Sequence, residues 1–192
     1  MPNSSTINRV KTTEAIAYIL QLHQAPMILS RLLKILYFID RLNLALNNSS
    51  LTNDNYYCQK SGLIPQQTPD LMLQLQLSEI LQVDELQLGY ISLRQLPTST
   101  TLSPSEIEII TDVYQQKKDL NPLNIREWKY DLWFISNHLR HKGGNLLTPV
   151  DMMLGLGKTK AEIMAYLNSQ TTKASKFPSS AADQIALTPN KV

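Results

Sequence analysis

Cysteine, histidine and long apolar runs are all scarce in this chain, and each scarcity closes off a class of protein. A single cysteine, Cys58, excludes an intrachain disulfide and suits a reducing compartment. The longest apolar run, LLKILYFI, is broken by Lys34 and falls far short of the ~20 residues that span a bilayer. The opening MPNSSTINRV has no apolar stretch of the secretory kind, so the expected location is cytoplasmic. No excess of one charge sign is present either. The formal net charge is +2, and acidic and basic residues are shared evenly between the two halves. A nucleic-acid footprint normally shows as a clustered basic face. Nucleic acid and membrane are therefore not expected partners.

What remains is ordinary globular material. The 192 residues, 43% hydrophobic and 18% charged, suit one domain with a proper core. The expected organisation is a flexible N-terminus over 1–9, a single helical domain over 10–168 and a flexible, low-hydrophobicity tail over 169–192. A first helix is expected from Lys11 to Leu22, capped by Thr12 or Thr13 and ended by Pro26.

The second helix, from Ser30 to Leu46, is the densest signal. Leu32, Leu36, Ile39 and Leu46 form one stripe, and Leu33, Ile35, Phe38, Leu42 and Leu44 cover most of the rest. The polar residues Arg31, Lys34, Asp40 and Arg41 are confined to a narrow band. A helix apolar nearly all round must be enclosed by other elements. The predicted fold class is mainly α: a compact multi-helix domain around this central helix, with a small β hairpin or ribbon.

After a polar turn at Asn47 to Ser50, Tyr56 to Cys58 reads as extended and Gly62 to Pro65 as a corner. Thr68-Pro69-Asp70 opens a helix, with Thr68 at the cap. The following LMLQLQLSEIL fits either a strand or a helix, and the opening signal decides for helix. Leu86 to Arg94 alternates like a ribbon strand. Ser103-Pro104-Ser105-Glu106 is a capping box that opens a helix carrying Ile107, Ile110 and Tyr114. Ile125, Trp128, Leu132, Ile135 and Leu139 make the clearest amphipathic stripe, ended by Gly143-Gly144. Short helices are expected after Thr148-Pro149 and over Lys160 to Asn168.

Candidate chemistry is thin. Gly155-Leu156-Gly157-Lys158-Thr159 resembles a phosphate loop, but Met152 stands where the motif needs its first glycine. A turn between helices is the plainer reading. His138 and His141 share a helix face, yet no third ligand accompanies them as a zinc site requires. Cys58 has no histidine near it in sequence to activate it. No catalytic residue, metal or cofactor is expected, and the chain is read as a binding protein and not an enzyme. Asp40, the one acid in the middle of the apolar helix, either pairs with a basic neighbour, satisfies backbone groups or fixes a polar network beneath a binding surface. Trp128, Tyr130, Trp133 and Phe134 cluster and are expected mainly in the core.

Residues 31–40, RLLKILYFID, resemble the opening motif of the Panacea domain family, bacterial and phage proteins found largely as antitoxins. The family shows a Lys-Leu-x-Lys-Leu-Leu-Tyr-Phe-Ala-Asp run, a turn with a proline-leucine pair, and an aromatic extended piece ending in Gly-Pro-Val. Here Ser50-Leu51 ends the turn, Tyr56 to Ser61 stand for the aromatic piece, and Gly62-Leu63-Ile64 for Gly-Pro-Val. Leu102 to Glu106 is similar to the family's Leu-Ser-x-x-Glu helix start. Gln59 and Ser61 replace the usual aromatics, and Leu63 the proline, so the chain is a divergent member.

The resemblance implies a cognate toxin, encoded by a neighbouring gene and neutralised by direct protein–protein contact, with adaptor-mediated proteolysis as a variant. A nanomolar complex needs about −12 kcal/mol. An interface of roughly 1,600 Å² supplies this when it holds a few packed anchors. The expected anchors are Tyr56, Tyr57, Lys60, Leu63 and Ile64 at the corner, supported by Tyr37 and Asp40. A DNA-binding autoregulator and a small nucleotide-dependent enzyme using Lys158 and Thr159 are the competing readings.

Overall fold

A computed structural model describes residues 7–59, 62–83, 89–97, 100–121 and 144–176. The expected helix over 125–139, its aromatic cluster, and His138 and His141 lie outside these. Among the described residues, six helices and two small three-stranded antiparallel sheets build a mainly α fold.

Helix α1 (Arg9–His23) starts earlier than expected because Asn8 caps it, its side chain accepting from Lys11 N. Thr12 is not the cap. It is buried one turn in, and its hydroxyl donates to the Asn8 carbonyl at 2.7 Å. Strand β1 (Met27–Ile28) then leads directly into α2 (Leu29–Asn47). Helix α2 packs against α1, β1, β3 and two later helices, as its nearly continuous apolar surface requires. Leu32, Ile35, Leu36, Ile39 and Leu44 are fully enclosed. Three positions differ from the pattern. Leu46, expected on the core stripe, is 65% exposed in the last turn, whereas Lys34 and Asp40 of the polar band are buried.

Beyond α2 come β2 (Tyr56–Gln59), β3 (Gly62–Pro65) and α3 (Thr68–Leu77). Burial of Leu71, Met72 and Leu75 with Leu73 57% exposed is the helical pattern, and it settles the ambiguous segment. Strand β4 (Leu81–Val83) pairs with β5 (Tyr90–Leu93), which lies within the expected ribbon. Helix α4 (Pro104–Lys117) has the expected capping box, and its Ile109, Ile110, Val113 and Tyr114 are buried. Strand β6 (Leu146–Leu147) precedes α5 (Pro149–Gly155), which opens on a second capping box between Thr148 and Asp151. Helix α6 (Lys160–Lys176) continues past Asn168, since no glycine or proline interrupts the chain there.

In the first sheet β5 lies between β1 and β4; in the second β2 lies between β3 and β6. The second sheet sits against α2 through β3 and carries the corner that the sequence singles out.

Candidate functional site

Asp40 is the organising residue of the corner. It points from α2 into the core, fully buried, and accepts five hydrogen bonds. Oδ1 takes Ser50 Oγ at 2.8 Å, Leu51 N at 2.8 Å and Thr52 N at 2.9 Å. Oδ2 takes the Thr52 hydroxyl and the Tyr56 hydroxyl, the latter at 2.7 Å. None of these donors is a cation. Burial pushes the carboxyl of Asp40 above its usual range, against the opposing pull of the Thr52, Tyr56 and Ser50 bonds. Of the three roles open to Asp40 in the sequence, it takes backbone satisfaction and the polar network together.

Asp54 is a second buried carboxylate at the foot of the hairpin. It accepts Asn55 N at 2.8 Å, Gln67 N at 3.0 Å, and Thr68 N and Thr68 Oγ1 at 2.8 Å each. Thr68 is therefore not the cap of α3. The first amides of that helix are met by an acid 13 and 14 residues earlier, placed where the helix dipole favours negative charge. Burial again raises the Asp54 pKa, countered by the bonds from Thr68, Gln67 and Asn55. The amides that lead up to Asp54 are satisfied as well. Asn53 N donates to Ser50 Oγ at 2.9 Å and Asp54 N to Thr52 Oγ1 at 3.1 Å. Five successive amides, from Leu51 to Asn55, thus each meet a side-chain oxygen.

On this base stands the β2–β3 hairpin, with β6 on its other flank. The register pairs Tyr56 with Pro65 and Leu147, and Tyr57 with Ile64 and Leu146. Strand alternation therefore sorts the expected anchors onto two faces. Tyr56 and Leu63 point inward and are buried, which removes them from any contact surface. Their neighbours Tyr57 and Ile64 are only half-buried, and Leu146 extends them into a row across three strands. Lys60 lies outside the described residues. Tyr37 is buried and packs edge-on against Tyr56, ring centroids 5.3 Å apart, so it props the inner face.

The inner face is chemically quiet. Burial, then the charge of Asp40, holds the Tyr56 hydroxyl far above its usual pKa, so it remains a donor. Burial also raises the Cys58 thiol, the opposite of what an activated nucleophile needs. Lys158 and Thr159 form no phosphate cradle. Lys158 Nζ donates to Ala45 O at 2.8 Å, and Thr159 caps α6 in exchange with Glu162. Among the described residues no three His, Cys, Asp or Glu side chains gather as metal ligands, and no helix is long and apolar enough to cross a membrane.

Four contributors were not anticipated. Thr52 and Asp54 share the turn before β2, Leu146 comes from β6, and Tyr166 of α6 donates to Asn53 Oδ1 at 2.7 Å. The only local hint was the alternation of oxygen-bearing side chains at Ser50, Thr52 and Asp54.

The β2–β3–β6 sheet thus presents a face braced from beneath by Asp40 and Asp54. The chain belongs to the family described as antitoxin SocA-like, Panacea domain, whose model matches residues 32–133. This match spans the central helix, the carboxylate network and the hairpin, and it places the chain among antitoxin-like proteins. No curated protein and no solved structure matches the chain.

Proposed function

We propose that this chain neutralises a cognate toxin protein by direct contact, and that the outer row of the β2–β3–β6 sheet is the contact face. The observation that carries this reading is the row itself. Tyr57, Ile64 and Leu146 are large apolar side chains left half-covered on a sheet whose other face is anchored in the core. Tyrosine on such a rigid support offers a large contact area at little conformational cost. Lys60, which lies between β2 and β3 in sequence, completes the proposed anchor set. Delivery of the bound toxin to a protease is a variant that uses the same contact.

The test is co-expression with the product of the neighbouring gene. That product alone should arrest growth, and this chain should restore it and co-purify with it. A harmless neighbour that never co-purifies defeats the reading.

A further inference from the structure

We propose that Asp40, acting through the Tyr56 hydroxyl, selects which face of the β2–β3 hairpin turns inward, with Asp54 fixing the length of chain that feeds it. The need for such a device is visible in the hairpin. Its hydrophobic pattern is degenerate: Tyr56 is followed by Tyr57, and Leu63 by its isomer Ile64. A slip of one residue exchanges the two faces of a strand. Here that exchange would replace tyrosine with tyrosine and leucine with isoleucine at the core. Cys58 against Gln59, and Pro65 against Gln66 at the end of β3, are the pairs that differ in polarity.

The buried carboxylates remove the degeneracy. Asp40 Oδ2 accepts one tyrosine hydroxyl, at 2.7 Å, and Tyr56 is the tyrosine that reaches it. Asp54 holds Asn55 N on one side of the hairpin and Gln67 N and Thr68 N on the other. Gln66 N bonds Asn55 O at 2.7 Å and Asn55 Nδ2 bonds Gln66 Oε1 at 3.1 Å, which closes the base. Moving Tyr57 to Asp40 requires one residue of slack between Asp54 and β2, and the clamp makes that slack costly. Buried polar groups that fix register at some cost in stability have precedent as a general device. Asp40 and Asp54 are positioning residues for the outer row, because they decide that Tyr57 and Ile64 stay outside.

The chain carries its own reporter. Cys58, the single thiol, is on the inner face with Tyr56, and Gln59 is on the outer. In Tyr56→Phe only Tyr57 still has a hydroxyl to offer Asp40, so the face exchange becomes less costly by that one bond and more often visited. Labelling of Cys58 by iodoacetamide under native conditions should then accelerate about tenfold, the scale set by one hydrogen bond to a charged group. In a Cys58→Ser, Gln59→Cys background, Tyr56→Phe should instead slow the labelling of the new thiol. Tyr57→Phe should change neither rate. Unchanged rates in a folded Tyr56→Phe protein overturn the proposal. So does acceleration at both positions, which reports fraying and not exchange. Asp40→Asn, which leaves one acceptor oxygen for the 50–52 turn, repeats the pair of measurements should Tyr56→Phe not fold, with the same criteria. No toxin enters the experiment, so its outcome is separate from that of the antitoxin reading.

Discussion

Lys158 Nζ sits 2.8 Å from the carbonyl oxygen of Ala45, a residue 113 positions earlier. Helix α2 carries no basic residue in its own last turn. The cation that complements its C-terminal carbonyls arrives from the turn between α5 and α6, steadied by Glu162 at 3.2 Å. A lysine that looked like part of a phosphate loop is instead a clasp between the central helix and the last one.

Replacing Lys158 with methionine keeps the side-chain bulk and removes that clasp. The expected loss is about 1 kcal/mol, read as a melting temperature lower by about 2–4 °C for a chain of this size. Calorimetry with nucleotides and Mg²⁺ should show no binding heat in either protein, and saturable heat lost in the variant would restore the nucleotide reading.

Asp40→Ala orphans five buried donors at once. Its cost should reach about 4 kcal/mol or more, the range reserved for broken buried networks. Tyr166→Phe removes a single bond to Asn53 and should cost about 1 kcal/mol. Urea unfolding midpoints of the two variants beside wild type give the comparison, and equal costs would contradict the hub role of Asp40.

Acid should act through Glu106. Burial tends to raise its pKa, but the bonds from Lys11 at 2.6 Å and from Ser103 outweigh this and hold it below 4.5. A carboxylate lowered on folding contributes stability that is present above its unfolded value and is lost as pH falls through the folded one. Lys11→Met should therefore lower stability at pH 7 and flatten its decline below pH 4.5. Asp40 and Asp54, raised by burial, carry the opposite sign: their contribution weakens as pH rises from about 4 through their folded pKa values. Glu162, held at about 2 by the Thr159 cap, should keep the start of α6 intact in acid. Denaturant titrations at pH 7, 4 and 3 separate these contributions.

Substitutions on the two faces of the hairpin should part ways. Tyr57→Ala and Ile64→Asp are expected to leave the melting temperature within a few degrees of wild type and to weaken the toxin complex by about 100-fold or more, the loss of a 2–4 kcal/mol anchor. Tyr56→Ala and Leu63→Asp should instead destabilise the chain itself. Melting curves paired with co-purification distinguish the outcomes, and a complex indifferent to Tyr57 and Ile64 would move the contact face elsewhere.

Long-range patterning made the central helix readable: an apolar surface that continuous has one physical solution, enclosure. The capping box of Ser103 with Glu106 was equally plain, because it acts within four residues, and Thr148-Pro149 marked the start of α5, though not the partnership of Thr148 with Asp151. Strands of two or three residues, such as β1, β4 and β6, are too short to show alternation and exist only through their partners. The expected anchors were grouped in the sequence but not sorted by face, since two adjacent tyrosines and an adjacent leucine and isoleucine carry no information about which turns inward. Asp54 escaped notice for a related reason. It caps a helix from 14 residues away, where no local motif could announce it.

The turn between α2 and β2 has no regular secondary structure and yet gives all five of its amides from Leu51 to Asn55 to fixed side-chain oxygens. A broad-specificity protease must draw several residues of a loop out into an extended thread before it can cut. Here that would mean stripping Asp40 and Asp54 of their ligands together, at nearly the cost of unfolding the domain. The native chain should therefore resist nicking between residues 48 and 55, and what looks like an accessible surface loop should behave toward proteolysis as part of the interior.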